Sequence, residues 1–387
     1  MTRKERIMNK IEELLHRYCP NGVAYKNLGD VCEFQRGSSI TQKNVTHGTV
    51  PVIAGGQTPA YYHNTSNRIG DVIAVSASGA YAGFVSYWTV PVFLSDSFSV
   101  NPNSKILVKK YVYYFLKHNQ SRIHDTKKGS GVPHVHGSSI SKIPIPIPPL
   151  PVQHEIVNIL DKFTQLEAQL EAELEARKVQ YVYYRKLLLN YQEKEVEWII
   201  LLEVIEKIKN VKWSETDKSY KYIDLSSVSR DTYQIIGHTI INKKDAPSRA
   251  QQIINSGDIL FGTTRPTLKR ICIVDEEYDS QICSSGFCVI RPKKEKVLSK
   301  WIYYQLSLPK FYEYIERNQQ GASYPSISDI CVKEYRIPLP DIEEQYRIVQ
   351  SLDKFDSLVN DLSIGLPAEI AARKKQYEYY RNKLLTF

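Results

Sequence analysis

IPIPPLPVQHEIVNILDKF, residues 145–163, returns 192 residues later as IPLPDIEEQYRIVQSLDKF, residues 337–355. Further on, RKVQYVYYRKLLL (177–189) returns as RKKQYEYYRNKLL (373–385), now at an offset of 196. The second copy therefore carries four extra residues between its two matched blocks. Shorter upstream matches keep the same order. Leu28-Gly29-Asp30-Val31 pairs with Leu201-Leu202-Glu203-Val204, and Gly70-Asp71-Val72-Ile73 with Gly257-Asp258-Ile259-Leu260. YVYYFL (111–116) pairs with WIYYQL (301–306), and Gly129-x-x-x-Pro133 with Gly321-x-x-x-Pro325. Matches in one order over this length mark an internal duplication. The chain reads globule, helix, globule, helix, with divisions at 1–150, 151–195, 196–340 and 341–387.

The repeated blocks carry helical periodicity. Ile156, Leu160, Phe163, Leu166 and Leu170 recur at spacings of three and four, and Leu174, Tyr181, Tyr184 and Leu188 continue the stripe. The second copy shows Ile348, Leu352, Phe355, Leu358 and Leu362, then Ile370, Tyr377, Tyr380 and Leu384. One narrow apolar seam on a long helix needs a partner, and the nearest is the other copy, which predicts that the two helices pair as a coiled coil. The rival arrangement packs each helix on its own globule. Leu166-Glu-Ala-Gln, Leu170-Glu-Ala-Glu and Leu174-Glu-Ala-Arg form a four-residue repeat of strong helix formers. The equivalent place in the second copy holds Gly365 and Pro367, which predicts an interruption between Ser363 and Pro367.

The globules read as mixed α and β. VPVIA (50–54), DVIAVS (71–76), AGFVSYW (82–88) and SFSV (97–100) have strand character. VKKYVYYFLKH (108–118) and SKWIYYQLS (299–307) read as helices, as do residues 5–18, closed by Asn21-Gly22. IPIPIPPLP (143–151) is too proline-dense for a helix or central strand and reads as an extended linker. The expected fold class is α+β: two mixed α/β globules joined by two long helices, with a pseudo-twofold internal repeat.

Composition bounds the function. The 387 residues are 42% apolar and 24% charged, which is globular rather than disordered or membrane-spanning. The charged N-terminal stretch has no apolar h-region, so no secretory signal is expected. Six scattered cysteines without a CxxC suit a reducing cytoplasm and argue against a disulfide framework or zinc site. The net charge of +9 is uneven: 1–150 carries +9, 151–195 carries −2, 196–340 carries +3 and 341–387 carries −1. A basic excess confined to the globules points to a polyanion there.

No catalytic constellation is present. The chain lacks a GxGxxG opening a helix, a GxxxxGK[ST] loop, HExxH, and the Asn/Asp-Pro-Pro-Tyr of an amino-methyltransferase. Gly129-Ser-Gly131 lacks a third glycine, and His134-Val135-His136 has no nearby third ligand. The reading expects no catalytic residue, no metal and no cofactor. What remains is binding by basic and amide side chains in loops. In the first globule these are Arg36, Arg68, Arg122, Lys127, Lys128, His134 and His136. In the second they are Lys243, Lys244, Arg249, Arg265, Lys269, Arg270, Gln319 and Gln320. Arginine pairs bidentately with guanine and glutamine with adenine, while lysine mainly meets phosphate.

The two helix-leading blocks, the two tyrosine-rich tails and YCPNGVAYKNLGDVCEFQRG (18–37) resemble the specificity subunits of type I restriction–modification systems. The resemblance covers essentially the whole chain. It implies that each globule is a target recognition domain for one half of a split sequence in double-stranded DNA, and because the globules share framework segments yet differ, the target is expected to be asymmetric. It implies two long spacer helices that pack antiparallel and dock two DNA-methyltransferase subunits, to which restriction (motor-nuclease) subunits are added in some systems. No run approaches the ~18 apolar residues a membrane span needs, so no membrane is expected. The Gly365/Pro367 interruption departs from a continuous second helix. Rival readings are a protein-only coiled-coil adaptor, an enzyme with an unrecognised site, and the recognition subunit of a methylation-only complex.

Overall fold

The computed structural model describes residues 3–129, 131–192 and 195–387. Ser130, of the Gly129-Ser-Gly131 motif, lies outside the described residues, as do Glu193 and Lys194 of the expected 151–195 helix. The chain forms two compact units. One comprises the residues up to Glu173 together with Leu366–Phe387, and the other is Leu174–Gly365.

The first unit opens with the helix Arg3–Tyr18. Gly22, at φ +91°, donates its N–H to the Cys19 carbonyl at 3.0 Å and turns the chain out of it. A four-stranded antiparallel sheet runs in the order Cys32–Arg36, Ser97–Pro102, Val72–Ser76, Val85–Trp88. A three-stranded sheet orders Tyr61–His63, Val50–Ile53 and Phe93–Leu94. The helix Lys109–His118 lays Tyr111, Val112, Tyr114, Phe115 and Leu116 into the core. The second unit repeats this plan with Ile205–Glu206, Phe287–Pro292, Ile259–Gly262 and Ile271–Ile273 in one sheet. A second sheet orders Thr239–Ile241, Tyr220–Ile223, Gln281–Ser284 and Ala250–Ile254. The helix Ser299–Leu306 occupies the place of Lys109–His118.

The proline-rich stretch is more than a linker. Pro144–Ile147 is a strand paired antiparallel with Ala24–Asn27, and Arg336–Leu339 pairs likewise with Glu197–Ile200. A two-stranded ribbon uses the N–H groups of one strand side only, so alternating prolines cost it no ladder bond.

The leading blocks repeat because they do the same work twice. Gln153 and Gln345 are both fully buried. Gln153 accepts from Val108 N at 2.8 Å and donates to the carbonyls of Ile106 (2.8 Å) and Pro148 (2.7 Å). Gln345 accepts from Leu298 N at 3.0 Å and donates to Lys296 (3.2 Å) and Pro340 (2.9 Å). One amide thus ties the turn before the short helix to the turn before the long one. Asp161 accepts from Tyr114 Oη (2.5 Å) and Lys110 Nζ (2.7 Å), as Asp353 does from Tyr304 Oη (2.7 Å) and Lys300 Nζ (2.6 Å). These contacts explain the shared Gln and the Leu-Asp-Lys-Phe of both copies.

The first long helix is Leu150–Leu189, 40 residues, with Pro149 and Pro151 at its start, where no intrahelical N–H is required. The second begins at Ile342, where Asp341 caps Glu344 N at 2.8 Å, and ends at Asn360. It resumes as Leu366–Leu385. The expected interruption is therefore present, over 361–365. The Asp361 carboxylate accepts from Ser363 N (2.7 Å), Ser363 Oγ (2.5 Å) and Ile364 N (3.2 Å), and the Ser363 hydroxyl first among these holds it below the usual carboxylate range. A Cβ on Gly365 would collide with the carbonyl oxygens of Ser357 and Asp361, so glycine is required there.

Each unit is closed by the tail of the other copy. In the first unit, Phe163 stacks on Tyr380 with centroids 5.1 Å apart at 27°. In the second, Tyr184 stacks on Phe355 at 5.6 Å and 23°. The two phenylalanines are equivalent positions of the repeat, and so are the two tyrosines. Within the first unit the helices run antiparallel, since Lys374 reaches Glu171 (2.8 Å) and Glu167 (3.5 Å) while Tyr380 meets the earlier Phe163. Ile156, Leu160, Leu170, Tyr181, Ile348, Leu352 and Tyr380 are buried, and Phe163, Leu166, Tyr184, Phe355 and Tyr377 partly so. Leu362 departs from the expected seam. It is 79% exposed, because the helix has stopped at Asn360 and no stripe continues through the break. Among the described residues, no helix is long and apolar enough to cross a membrane.

Candidate nucleic-acid interface

The matched Gly-x-x-x-Pro segments form the same small device in both units. In the first, Lys128 and His134 exchange backbone hydrogen bonds of 2.8 and 2.9 Å, closing a hairpin around Gly129 at φ +107°. Val135 N donates to Ala77 O at 2.8 Å and Gly79 N to Pro133 O at 3.0 Å, fastening the hairpin to the loop after the Val72–Ser76 strand. In the second, Gln320 and Ser326 exchange two bonds of 2.8 Å around Gly321 at φ +91°. Ile327 N donates to Thr263 O at 3.0 Å and Arg265 N to Pro325 O at 2.7 Å. Hairpin and facing loop are thus built alike, on the ends of equivalent strands.

The side chains on this scaffold differ between the units. The first gathers Lys127, Lys128, His134 and His136 on the hairpin. The two imidazole rings lie parallel within 9°, with centroids 6.3 Å apart. Lys127 Nζ donates to Ala80 O at 3.2 Å, and exposed Arg122 stands on the short helix Gln120–His124. His124 Nδ1 contacts Ala82 O at 2.9 Å and holds that helix to the loop. The second unit gathers Gln319 and Gln320 on the hairpin and Arg265, Lys269 and Arg270 on the facing loop. The Arg265 guanidinium lies 4.0 Å from the centroid of the Tyr324 ring. Lys269 Nζ lies 4.9 Å from that of Tyr312, whose hydroxyl pKa burial pushes up.

Other candidates stand elsewhere or are occupied. Arg68 is spent on structure. Its Nε donates to Ser99 Oγ (3.0 Å), Nη1 to Asn67 O (2.7 Å) and Nη2 to Arg36 O (3.0 Å) and Gln35 O (3.2 Å). Arg270 is spent likewise, its Nη1 donating to the carbonyls of Leu225 and, at 3.0 Å, Val228. Five donors in a fixed fork suit a guanidinium to gathering loop carbonyls, and sequence does not distinguish that use from base reading. Arg36 is exposed at the end of its strand. Lys243 and Lys244 sit in the turn after Thr239–Ile241, with Lys243 3.9 Å from Asp217. Exposed Arg249 lies beside the Ser284–Gly286 turn, its carbonyl accepting from Ser285 N at 2.8 Å, and Gly286 O in turn accepts from Thr263 N.

Sequence reading missed the exposed aromatic residues of these loops, Tyr324 and Tyr81. The signal for Tyr324 was its place inside Gly321-x-x-x-Pro325, where the other copy has Val132. What the loops offer chemically is cationic, amide and aromatic groups on a rigid base, the combination that meets phosphates and base edges.

The profile of the type I restriction modification DNA specificity domain matches residues 20–176 and 193–372. The specificity subunit of the EcoR124I/EcoR124II type I restriction enzyme of Escherichia coli is 29% identical, over 94% of each chain. A putative type I restriction enzyme specificity subunit of Haemophilus influenzae, S.HindORF215P, is 31% identical over 82% of each chain. Among solved structures, the S subunit of a type I restriction–modification system from M. genitalium superposes with a TM-score of 0.62, covering 95% of this chain and 96% of that one at 17% identity. That likeness is one of fold.

Proposed function

As the chain belongs to the type I restriction–modification DNA specificity family, matched by its profile through both copies of the repeat, we propose that each unit reads one half of a split DNA target. In this reading residues 1–150 and 196–340 are the recognition domains and 151–195 and 341–387 the spacer helices. The observation that carries it is the doubled hairpin-and-loop device. The backbone bonds between Lys128 and His134 and from Gly79 to Pro133 are repeated between Gln320 and Ser326 and from Arg265 to Pro325, while the side chains are not. A repeated frame with different contacts implies two different half-sites, hence an asymmetric bipartite target. Phosphate contacts from Lys128 and Lys269 set the position, and arginine, glutamine and histidine supply readout.

As a specificity chain it carries no catalysis itself. Methylation is supplied by two methyltransferase subunits docked on the helical region, and cleavage, where present, by restriction subunits joined through them. The complex works in the cytoplasm. The test is co-expression with the methyltransferase encoded beside it, followed by mapping of methylated bases. Two unlike half-sites separated by a fixed spacer support the reading. A single continuous or palindromic motif, or no methylation from an assembled complex, overturns it.

A further inference from the structure

One loop of the second unit is strained at both ends. Among the described residues four non-glycine residues have φ in the left-handed region: Tyr233 (+56°), Arg265 (+49°), Lys269 (+55°) and Ser280 (+57°). Arg265 and Lys269 bracket the single turn Pro266–Leu268. The position of Arg265 has a direct counterpart in the first unit, because Arg265 N donates to Pro325 O as Gly79 N donates to Pro133 O. That counterpart is a glycine, at φ +83°. One copy meets this backbone requirement with the residue that adopts it freely, and the other with an arginine, at a cost in stability.

The arginine is also set apart by its surroundings. Its guanidinium has no carboxylate and no hydrogen-bond acceptor among the described residues, unlike Arg68 and Arg270. It rests instead on the face of Tyr324, itself 69% exposed on the hairpin and held to the same loop by the Arg265–Pro325 and Ile327–Thr263 bonds. A cation on an aromatic face keeps all its N–H donors free while losing rotamer freedom in advance. A strained backbone, a stacked fork and unspent donors together describe a side chain prepared for a planar ligand.

We propose that Arg265 reads a guanine of the half-site recognised by the second unit, donating two parallel hydrogen bonds to O6 and N7, and that Tyr324 is its positioning residue. This rests on the function proposed above. A phosphate contact needs neither a fixed plane nor a fixed rotamer, so the platform favours base reading over backbone binding. The first unit, with Gly79 and Val132 in the two places, has no such reader there.

The full chain is expressed with its methyltransferase in a host lacking other DNA methylation, and methylated sites are mapped. If the wild-type complex gives no bipartite motif, the proposed function fails, and this assignment with it. If it does, Arg265→Gln relaxes one G·C position of one half-site by about 10–100-fold and leaves the other half-site intact. Tyr324→Ala relaxes that same position more weakly, and Tyr324→Phe restores it. Arg265→Gly also relaxes it, while raising the melting temperature of the purified chain by about 1–2 °C as strain is released. An unchanged motif with evenly reduced methylation identifies a phosphate contact and overturns the proposal. So does a relaxed base that differs between the Arg265 and Tyr324 variants, or a fall in melting temperature for Arg265→Gly. Loss of methylation at every site in complexes that melt like wild type overturns it too, because one base contact leaves the rest in place.

Discussion

Gln153 and Gln345 show how much one buried amide holds. Each satisfies one backbone N–H and two carbonyls that a leucine of similar size leaves bare. Gln345→Leu is expected to cost about 2–4 kcal/mol, the penalty for stranding buried polar groups, read as a lower urea midpoint. An unchanged midpoint would show that the loop carbonyls find water instead. Tyr380 presents the opposite case. Its ring is 1% exposed against Phe163, yet its hydroxyl is buried with no hydrogen-bond partner among the described residues. Tyr380→Phe therefore keeps the stack and removes an unpaired polar atom, for a gain of about 1 kcal/mol. Tyr380→Asp places a charge in the same apolar setting and costs roughly 4 kcal/mol, enough to disrupt assembly. Equal melting temperatures for the two variants would contradict both statements.

Among elements, the first long helix and the break in the second are the parts whose design is testable. One further Leu-Glu-Ala-x unit after Leu170 lengthens the helix by ~6 Å and rotates the downstream residues by about 40°, so the stripe still faces its partner. The expected result is an active complex whose spacer between half-sites is longer by about one to two base pairs, since ~6 Å is a little under two duplex steps of ~3.4 Å. Insertions of two residues turn the seam away and damage folding. An unaltered spacer with full activity would show that helix length does not set it. The break at 361–365 depends on Asp361 as an acceptor. Its pKa is depressed in the fold, so its contribution is complete above the unfolded value of about 3.9 and is lost as pH falls through the folded one. The difference in urea midpoint between wild type and Asp361→Ala should stay constant from about pH 8 to pH 5 and shrink below about pH 4. A difference that shrinks near neutrality would mean another group titrates.

For the whole molecule, charge predicts behaviour on DNA. The excess of +9 resides in residues 1–150, and residues 196–340 carry only +3. Phosphate neutralisation supplies most non-specific affinity, so the isolated chain should bind duplex DNA weakly, in the range of ~10⁻⁴–10⁻⁶ M at physiological salt. It should gain affinity with the methyltransferase present. Fluorescence anisotropy on random and target duplexes at two salt concentrations measures this. Nanomolar, sequence-specific binding by the purified chain alone would contradict it.

Duplication, helical stripes and the interruption near Gly365 were legible because each rests on local spacing, which side-chain periodicity and backbone freedom translate directly into structure. The short strands and the Lys109–His118 and Ser299–Leu306 helices were legible for the same reason. That each helix pairs with the other copy was legible too, but which residues meet across the seam was not. The two copies carry nearly the same apolar face, so periodicity does not set the register that puts Phe163 on Tyr380 and Tyr184 on Phe355. Chain connectivity and packing decide that. The same limit applies to the loops. Arg68, Arg265 and Arg270 are equal in sequence, but carbonyls brought from 32 to 45 residues away occupy two of them, and a tyrosine 59 residues away stacks under the third. The residue types capable of recognition were determined by sequence, and which of them remain free for it was decided by tertiary structure, since hydrogen-bond partners are set by proximity in space.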